Sequence, residues 1–230
     1  MSSAPGRTRG RMSAKGTALG VMGGTFDPIH FGHLRLAEEA RQALGLSQIR
    51  IIPAGRPPHR EQPRGSAEDR LAMARLAIAG LPQFELDDRE VRADLPSYTV
   101  PTLERLREQL GDDRPLVLVL GVDAFLGLPS WHRWREVFAL AHVAVATRPG
   151  YVLNAQHMDE ALATEFHRRI TPAAETLVHS ASGGISSFAM TPLAISATAI
   201  RSMLARGDSP RFLLPDAVLD YIHHHHLYEN

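Results

Sequence analysis

Cysteine is absent from the 230 residues. Its absence excludes disulfides, thiolate zinc centres and cysteine nucleophiles, and it suits a reducing compartment, so a cytoplasmic setting is expected. No apolar run approaches the roughly 18 residues that a membrane helix needs. Excess charge is lacking too, because 25 Lys plus Arg balance 25 Asp plus Glu. Nucleic-acid and anionic-membrane binders carry a basic surplus, so neither partner is expected. A small anionic substrate needs only a local positive cluster and stays open.

What is present is an ordinary globular balance, 44% apolar and 22% charged, on a length that suits one sizeable domain. Residues 1–17 stand apart. They carry Arg7, Arg9, Arg11 and Lys15 with no acid and no apolar stretch. They read as a basic, disordered leader rather than a secretory signal or transit peptide. Met12 offers an alternative start, and residues 18–230 form the domain. The run His223–His226 lies between Tyr221-Ile222 and Leu227-Tyr228, which marks it as the close of a C-terminal helix rather than a purification tag.

Apolar runs alternate with helical patterns along that domain, the signature of a parallel sheet wrapped by helices. Strands are expected at Ala18–Met22, Gln48–Pro53, Leu116–Leu120 and His142–Thr147. Helices are expected at Gly32–Leu44, Ser66–Ala79 (capped by Ser66, with Asp69 at the capping-box position) and Thr99–Leu110, with Pro101 in its first turn. Further helices fall near Trp134–Leu140, Met158–Arg169, Ser196–Arg206 and Pro215–His226. Residues 152–193 give the weakest signals. The fold class is α/β: a Rossmann-like, doubly wound parallel sheet flanked by helices, in a single domain. Such sheets bind ligands outside the carboxyl ends of their strands, which directs attention to four loops. These are Gly23–Phe31, Pro53–Arg60, Gly121–Trp131 and Arg148–Gly150.

The first loop holds the strongest pattern, Gly23-Gly24-Thr25-Phe26-Asp27-Pro28-Ile29-His30-Phe31-Gly32-His33. Glycines after a strand let backbone N–H groups approach an oxyanion, and a helix N-terminus there adds its positive dipole end. His30 and His33 stand three apart and can face one cleft. A metal site is disfavoured because no third ligand stands at a telling spacing. The Gly-x-Gly-x-x-Gly of dehydrogenases is missing.

This eleven-residue stretch resembles the signature of the nicotinate mononucleotide adenylyltransferases, nucleotidyltransferases with a His-x-Gly-His motif. The resemblance continues through Ile51-Ile52-Pro53 with Pro57-Pro58-His59-Arg60, then Pro96-Ser97-Tyr98-Thr99, and Gly121-x-Asp123 with Pro129-Ser130-Trp131. It ends with Arg148-Pro149-Gly150 and Ile195-Ser196-Ala197-Thr198-Ala199-Ile200-Arg201. It implies adenylyl transfer from ATP to nicotinate mononucleotide, giving nicotinate adenine dinucleotide and pyrophosphate in NAD biosynthesis. Mg2+ would enter with ATP, and a resident protein metal site is not expected. A homo-oligomer stays open.

The resemblance also distributes roles. His30, His33 and Arg201 would be catalytic. Gly23, Gly24, Thr25, Phe26, Ile195, Ser196 and Thr198 would bind ATP. His59, Arg60, Tyr98, Thr99, Asp123, Trp131, His132 and Arg148 would bind the mononucleotide. Tyr98, Thr99 and Trp131 would form the nicotinate pocket, with Trp131 stacked on the pyridine ring, and the carboxylate would be held largely by backbone N–H groups around Thr99 and His132. His132 stands where close relatives are expected to carry Tyr. The alternatives are a phosphopantetheine adenylyltransferase, the amide substrate, a non-catalytic nucleotide-binding regulator and an aminoacyl-tRNA synthetase fragment. The last lacks a Lys-Met-Ser-Lys-Ser loop and room for an anticodon domain, and the regulator would predict a broken histidine motif.

Overall fold

The computed structural model of the protein describes residues 18–58, 62–171 and 173–229. The leader, His59 and Arg60 lie outside the described residues. In chain order the elements begin with β1 (Leu19–Gly24), α1 (Phe31–Ala43), β2 (Gln48–Pro53) and α2 (Ala67–Ala77). Then come β3 (Phe84–Leu86), α3 (Arg89–Arg92), α4 (Thr99–Leu110), β4 (Leu116–Gly121) and α5 (Val122–Leu126). The rest are α6 (Val137–Leu140), β5 (His142–Thr147), α7 (Glu160–Arg169), β6 (Ile185–Ala189), α8 (Ala197–Ala205) and α9 (Asp216–His224). The strands form one sheet of order β3-β2-β1-β4-β5-β6, and every neighbouring pair is parallel. The order reverses at β1, so the switch point opens between the loops after β1 and β4.

Both faces of the sheet are covered, as a parallel sheet requires. Along β4 the side chains alternate: Leu116, Leu118 and Leu120 join the layer of α4–α7, while Val117 and Val119 join the layer of α1, α2, α8 and α9. In β5 the second face shows only Ala144 and Ala146, and these small side chains let α1 lie close.

The strands at Gln48–Pro53 and His142–Thr147 and the helix at Thr99–Leu110 coincide with the sequence expectation. Five differences stand out, beside shifts of one or two residues at the ends of other elements. β1 runs on to Gly24 because Gly23 and Gly24 stay paired with Ile52 and Pro53. The segment Trp134–Leu140 is a 3-10 turn (Trp134–Glu136) followed by α6, entered through Arg133 in the left-handed region at φ 57°. The helix expected from Met158 starts at Glu160, because the Asp159 side chain accepts the Ala161 N–H at 2.9 Å. β6 falls in the weakly patterned stretch, and β3 is three residues long.

Two buried arginines tie the two ends of the sheet. Arg107, on α4, donates to the carbonyls of Gly111, Asp112, Arg114, Leu140 and Ala181, all at the amino ends of the strands. Arg70, on α2, is 1% exposed. It donates to the carbonyls of Thr25, Ala54, Gly55 and Gly65 in the loops at the carboxyl ends. Removing either leaves buried acceptors without donors. Arg107→Ala should therefore destabilise the fold by about 3 kcal/mol, read as a lower urea midpoint at unchanged m. Amide exchange in the loops after β1 and β2 should stay as in the parent. Arg70→Ala should cost at least as much and accelerate exchange in those loops. Identical exchange patterns in the two variants would show that the arginines do not divide the edges between them.

Candidate active site

The loop after β1 is the centre of the carboxyl edge. Gly23, Gly24 and Thr25 line a cleft whose other walls are Ala54 and Pro57 from the β2 loop, Tyr98 and Thr99 at the start of α4, and Trp131 and His132. The expected mononucleotide residues Tyr98, Thr99, Trp131 and His132 are thus gathered in one wall. Tyr98 and His132 lie ring against ring, centroids 4.7 Å apart and tilted by 38°. Tyr98 is the N-cap of α4 in an extended conformation. The N–H groups of Thr99 and Val100 that follow have no partner within the helix, and Pro101 has no N–H to offer. The cleft therefore meets apolar rings on one side and a helix N-terminus on another, a place for a planar anion.

Beyond Thr25 the chain turns sharply. Phe26 adopts φ 50°, rare for an aromatic residue, and its ring folds back over Gly24. A Cβ on Gly24 would lie 2.9 Å from that ring. The ring also meets His33 edge-on at 5.1 Å. Phe26 is buried, so its side chain supports His33, and only its backbone faces outward chemistry.

His30 is the extended N-cap of α1, and its backbone N–H donates to His33 Nδ1 at 3.3 Å. The two imidazoles stack, with centroids 3.7 Å apart. In the neutral ring an accepting Nδ1 puts the His33 proton on Nε2, leaving that nitrogen a donor. Burial lowers the His30 pKa from 6.5 to about 4, so this ring is neutral near pH 7. Its Nδ1 is buried with no hydrogen-bond partner among the described residues. The glycine of His-x-Gly-His has a steric cause: a Cβ on Gly32 would sit 3.0 Å from the His30 ring and 3.7 Å from the Ile195 carbonyl.

That contact brings the second motif alongside. Ser196 caps α8, its Oγ accepting the Ala199 N–H at 3.1 Å. Arg201 reaches back from α8. Its Nη1 donates to the Asp27 carbonyl at 2.6 Å, and Nη2 donates to Thr198 Oγ1 at 3.3 Å. The Asp27 carboxylate stands 3.7 Å from the same guanidinium. His30, His33, Ile195, Ser196, Thr198 and Arg201 thus converge where α1 and α8 both begin, the two helix N-termini adding positive ends. Asp123, in the first turn of α5, and Arg148, just after β5, are exposed on the same edge but line no wall of the cleft.

Sequence reasoning missed four supporting residues. Arg70 falls in the buried stripe of α2 with Met73, Ala74 and Ala77, a periodicity that was available to find it. Glu90, on α3, lines the cleft and accepts from Thr102 Oγ1 at 2.5 Å; burial raises its pKa against the pull of the Thr102 and Ser97 hydroxyls. Asp27, inside the motif, accepts the N–H groups of Arg64 and Gly65 at 2.9 and 3.0 Å. Tyr228 donates to Asp27 Oδ1 at 2.6 Å, and no local pattern announced that contact.

Known proteins match this arrangement. The pattern of the family described as Cytidylyltransferase-like covers residues 21–203. A "Probable nicotinate-nucleotide adenylyltransferase" of Dechloromonas aromatica (strain RCB) is 58% identical over 212 residues, 92% of this chain and 98% of that protein. One of the same description from Pseudomonas putida (strain W619) is 48% identical over 213 residues, 91% of this chain and 94% of that protein. Among solved structures, a Plasmodium falciparum nicotinic acid mononucleotide adenylyltransferase complexed with NaAD superposes with a TM-score of 0.69 at 16% identity. That match covers 92% of this chain and 97% of the other, and it shows the shared fold. With the glycine loop, the paired histidines and the Ser196–Arg201 helix in place, these relatives settle the affiliation: the chain belongs to the cytidylyltransferase-like family, as a nucleotidyltransferase of the nicotinate-nucleotide adenylyltransferase group.

Proposed function

We propose that this protein transfers the adenylyl group of ATP to nicotinate mononucleotide. The observation that carries the reading is the adjacency of two unlike half-sites around the β1 loop. One is the aromatic-walled cleft with the N-terminus of α4. The other is the corner where the imidazoles of His30 and His33 and the guanidinium of Arg201 meet the N-termini of α1 and α8. The first suits a pyridine carboxylate and the second suits a polyphosphate.

The chemistry then needs no general base. A phosphate monoester has a second pKa of about 6, so the mononucleotide phosphate is already largely dianionic at neutral pH. One of its oxygens forms a bond to the α-phosphorus of ATP and stays in the product, while the bond from that phosphorus to the α–β bridging oxygen breaks and pyrophosphate leaves with the bridging oxygen. The obstacle is repulsion among anions, so catalysis rests on in-line positioning and neutralisation of charge. His33 Nε2–H, Arg201 and backbone N–H groups of Gly23–Phe26 would meet the ATP phosphates, with Ser196 and Thr198 beside Ile195. Mg2+ bound to ATP would neutralise the phosphates further; the exposed Asp123 carboxylate is a fitting outer partner for a hydrated cation or a ribose. Trp131 and Tyr98 would flank the pyridine ring, its carboxylate would take N–H groups around Thr99 and His132, and His59, Arg60 and Arg148 would hold the mononucleotide phosphate. The lack of cysteine supports work in the cytoplasm.

The deciding experiment is pyrophosphate release with ATP and magnesium, comparing nicotinate mononucleotide, nicotinamide mononucleotide and phosphopantetheine. Strong preference for the nicotinate substrate is expected. Preference for the amide would overturn the carboxylate site, and activity with phosphopantetheine alone would overturn the substrate class. His33→Ala should lower turnover by about 10² to 10³, the scale of one lost transition-state donor, while the fold survives; near-parental turnover would remove His33 from the mechanism. His30 gives a pH signature. Its folded pKa of about 4 lies below the ordinary 6.5, so its share of stability is complete above pH 6.5 and is lost as pH falls towards 4. In NMR titration the His30 ring should show no protonation step near 6.5, and a normal step would show the ring to be hydrated.

A further inference from the structure

We infer that Tyr228 is a positioning residue for this transfer: its buried hydroxyl fixes Asp27, and through Asp27 it holds the β1 loop and Arg201 in register. The inference rests on the reaction proposed above. After α9 the chain folds back on itself, with the Leu227 N–H donating to the Ile222 carbonyl at 3.0 Å. Both His226 (φ 52°) and Tyr228 (φ 66°) take the left-handed region, which side-chain-bearing residues adopt at a cost. Two such residues within three positions make a bend that needs compensation. The contact it delivers is the 2.6 Å hydrogen bond from Tyr228 Oη to Asp27 Oδ1. Tyr228 is buried, and a short bond from a phenol to a carboxylate is of the strong, charge-assisted kind.

Asp27 is the relay. Its Oδ1 also accepts the Gly65 N–H, and its Oδ2 accepts the Arg64 N–H. The same residue's main-chain carbonyl accepts from Arg201. The side chain is therefore anchored to Tyr228, Arg64 and Gly65, while the carbonyl of the same residue takes the guanidinium. Gly65 is part of the fit, since a Cβ there would lie 2.9 Å from Tyr228 Oη and 3.0 Å from Asp27 Oδ1. Burial and the neighbouring Asp27 push the Tyr228 pKa up, so the phenol remains a donor throughout the neutral range. Without the hydroxyl, one carboxylate oxygen loses its strongest partner and the peptide that seats Arg201 gains freedom to rotate.

A second tyrosine supplies the internal control. Tyr221, on α9, donates to Asp69 Oδ1 at 2.9 Å. It ties the same C-terminal region to the first turn of α2 instead of to the β1 loop. A purely structural role for these bonds predicts the same outcome for both tyrosines.

The test uses the full chain with Tyr228→Phe, Tyr221→Phe, Asp27→Asn and the Tyr228→Phe/Asp27→Asn double variant. Pyrophosphate release, calorimetric ATP binding and amide exchange at Arg64 and Gly65 are measured. Tyr228→Phe should lower kcat about tenfold, the effect of about one lost hydrogen bond. KM for the mononucleotide should hold, ATP binding should weaken and Gly65 should exchange faster. Tyr221→Phe should lower the melting temperature and leave kcat within about twofold. The double variant should be no slower than Asp27→Asn alone, because both changes cut one relay. Equal effects of the two tyrosine variants on kcat, or Tyr228→Phe with parental kcat and parental Gly65 exchange, would overturn the inference. If the parent releases no pyrophosphate with any mononucleotide, the reaction assignment fails by itself. Tyr228 is then judged on ATP binding and exchange, where parental values in Tyr228→Phe overturn it.

Discussion

One buried guanidinium orders the edge on which everything else depends. Arg70 takes the carbonyls of Thr25, Ala54 and Gly55 from the two loops nearest the switch point, and of Gly65 from the entry to α2. A trans peptide points its C=O and N–H in opposite directions. Each captured carbonyl therefore turns the next N–H away from Arg70. Two of those N–H groups can be followed: Gly55 and Arg56 donate to Ser97 Oγ at 2.9 and 3.2 Å on the far side. By the same planarity the Phe26 N–H faces away from Arg70. A cation behind the loops thus arranges donors in front of them, which is the polarity that a site for phosphates needs. Lysine would not serve, because a point charge lacks the fork that spans several carbonyls.

The opposite edge uses the same device to another end. Arg107 gathers five carbonyls where the strands begin, far from the paired histidines. Parallel sheets leave loop carbonyls at both ends without ladder partners, and buried carbonyls need donors. Only at the carboxyl edge do the strand ends, the glycine loop and the starts of α1, α4 and α8 coincide. One arginine therefore stabilises the domain, and the other stabilises it and shapes the site.

Much of this was legible in the residues, because apolar alternation and glycine-histidine spacing are local signals. β2, β5 and α4 could be read to the residue, and the His30–His33 and Ser196–Arg201 segments stood out by their spacing. What escaped is what local patterns do not hold. β3 is too short to show a period, and β6 is an edge strand whose Ser186 and Ser187 blur the apolar run. The segment expected as one helix at Trp134–Leu140 opens as a 3-10 turn, entered through a left-handed Arg133 that no glycine advertised. Ser97 was read as part of a motif, yet its work is to hold the β2 loop across a sequence separation of about forty residues. Tyr228 meets Asp27 across 201 positions, a pairing that only the closed fold reveals.

The cleft also raises a question of sign. A nicotinate mononucleotide would present a cationic pyridinium and an anionic carboxylate, and an ionised acid in the pocket wall would repel the second. Glu90 lines the cleft, and among the described residues its carboxyl takes hydrogen bonds from the Thr102 and Ser97 hydroxyls and from no arginine. Burial favours its neutral form, the direction that lessens repulsion of a carboxylate bound beside it. On the reading that nicotinate mononucleotide binds there, its charge is met by the N–H groups opening α4 and not by a lysine or arginine within the cleft wall. Fixed dipoles cost little reorganisation when the anion arrives. On the same reading they would leave Arg201 at the other half-site for the phosphates, and the two anionic ends of the substrates would be sorted by different physics.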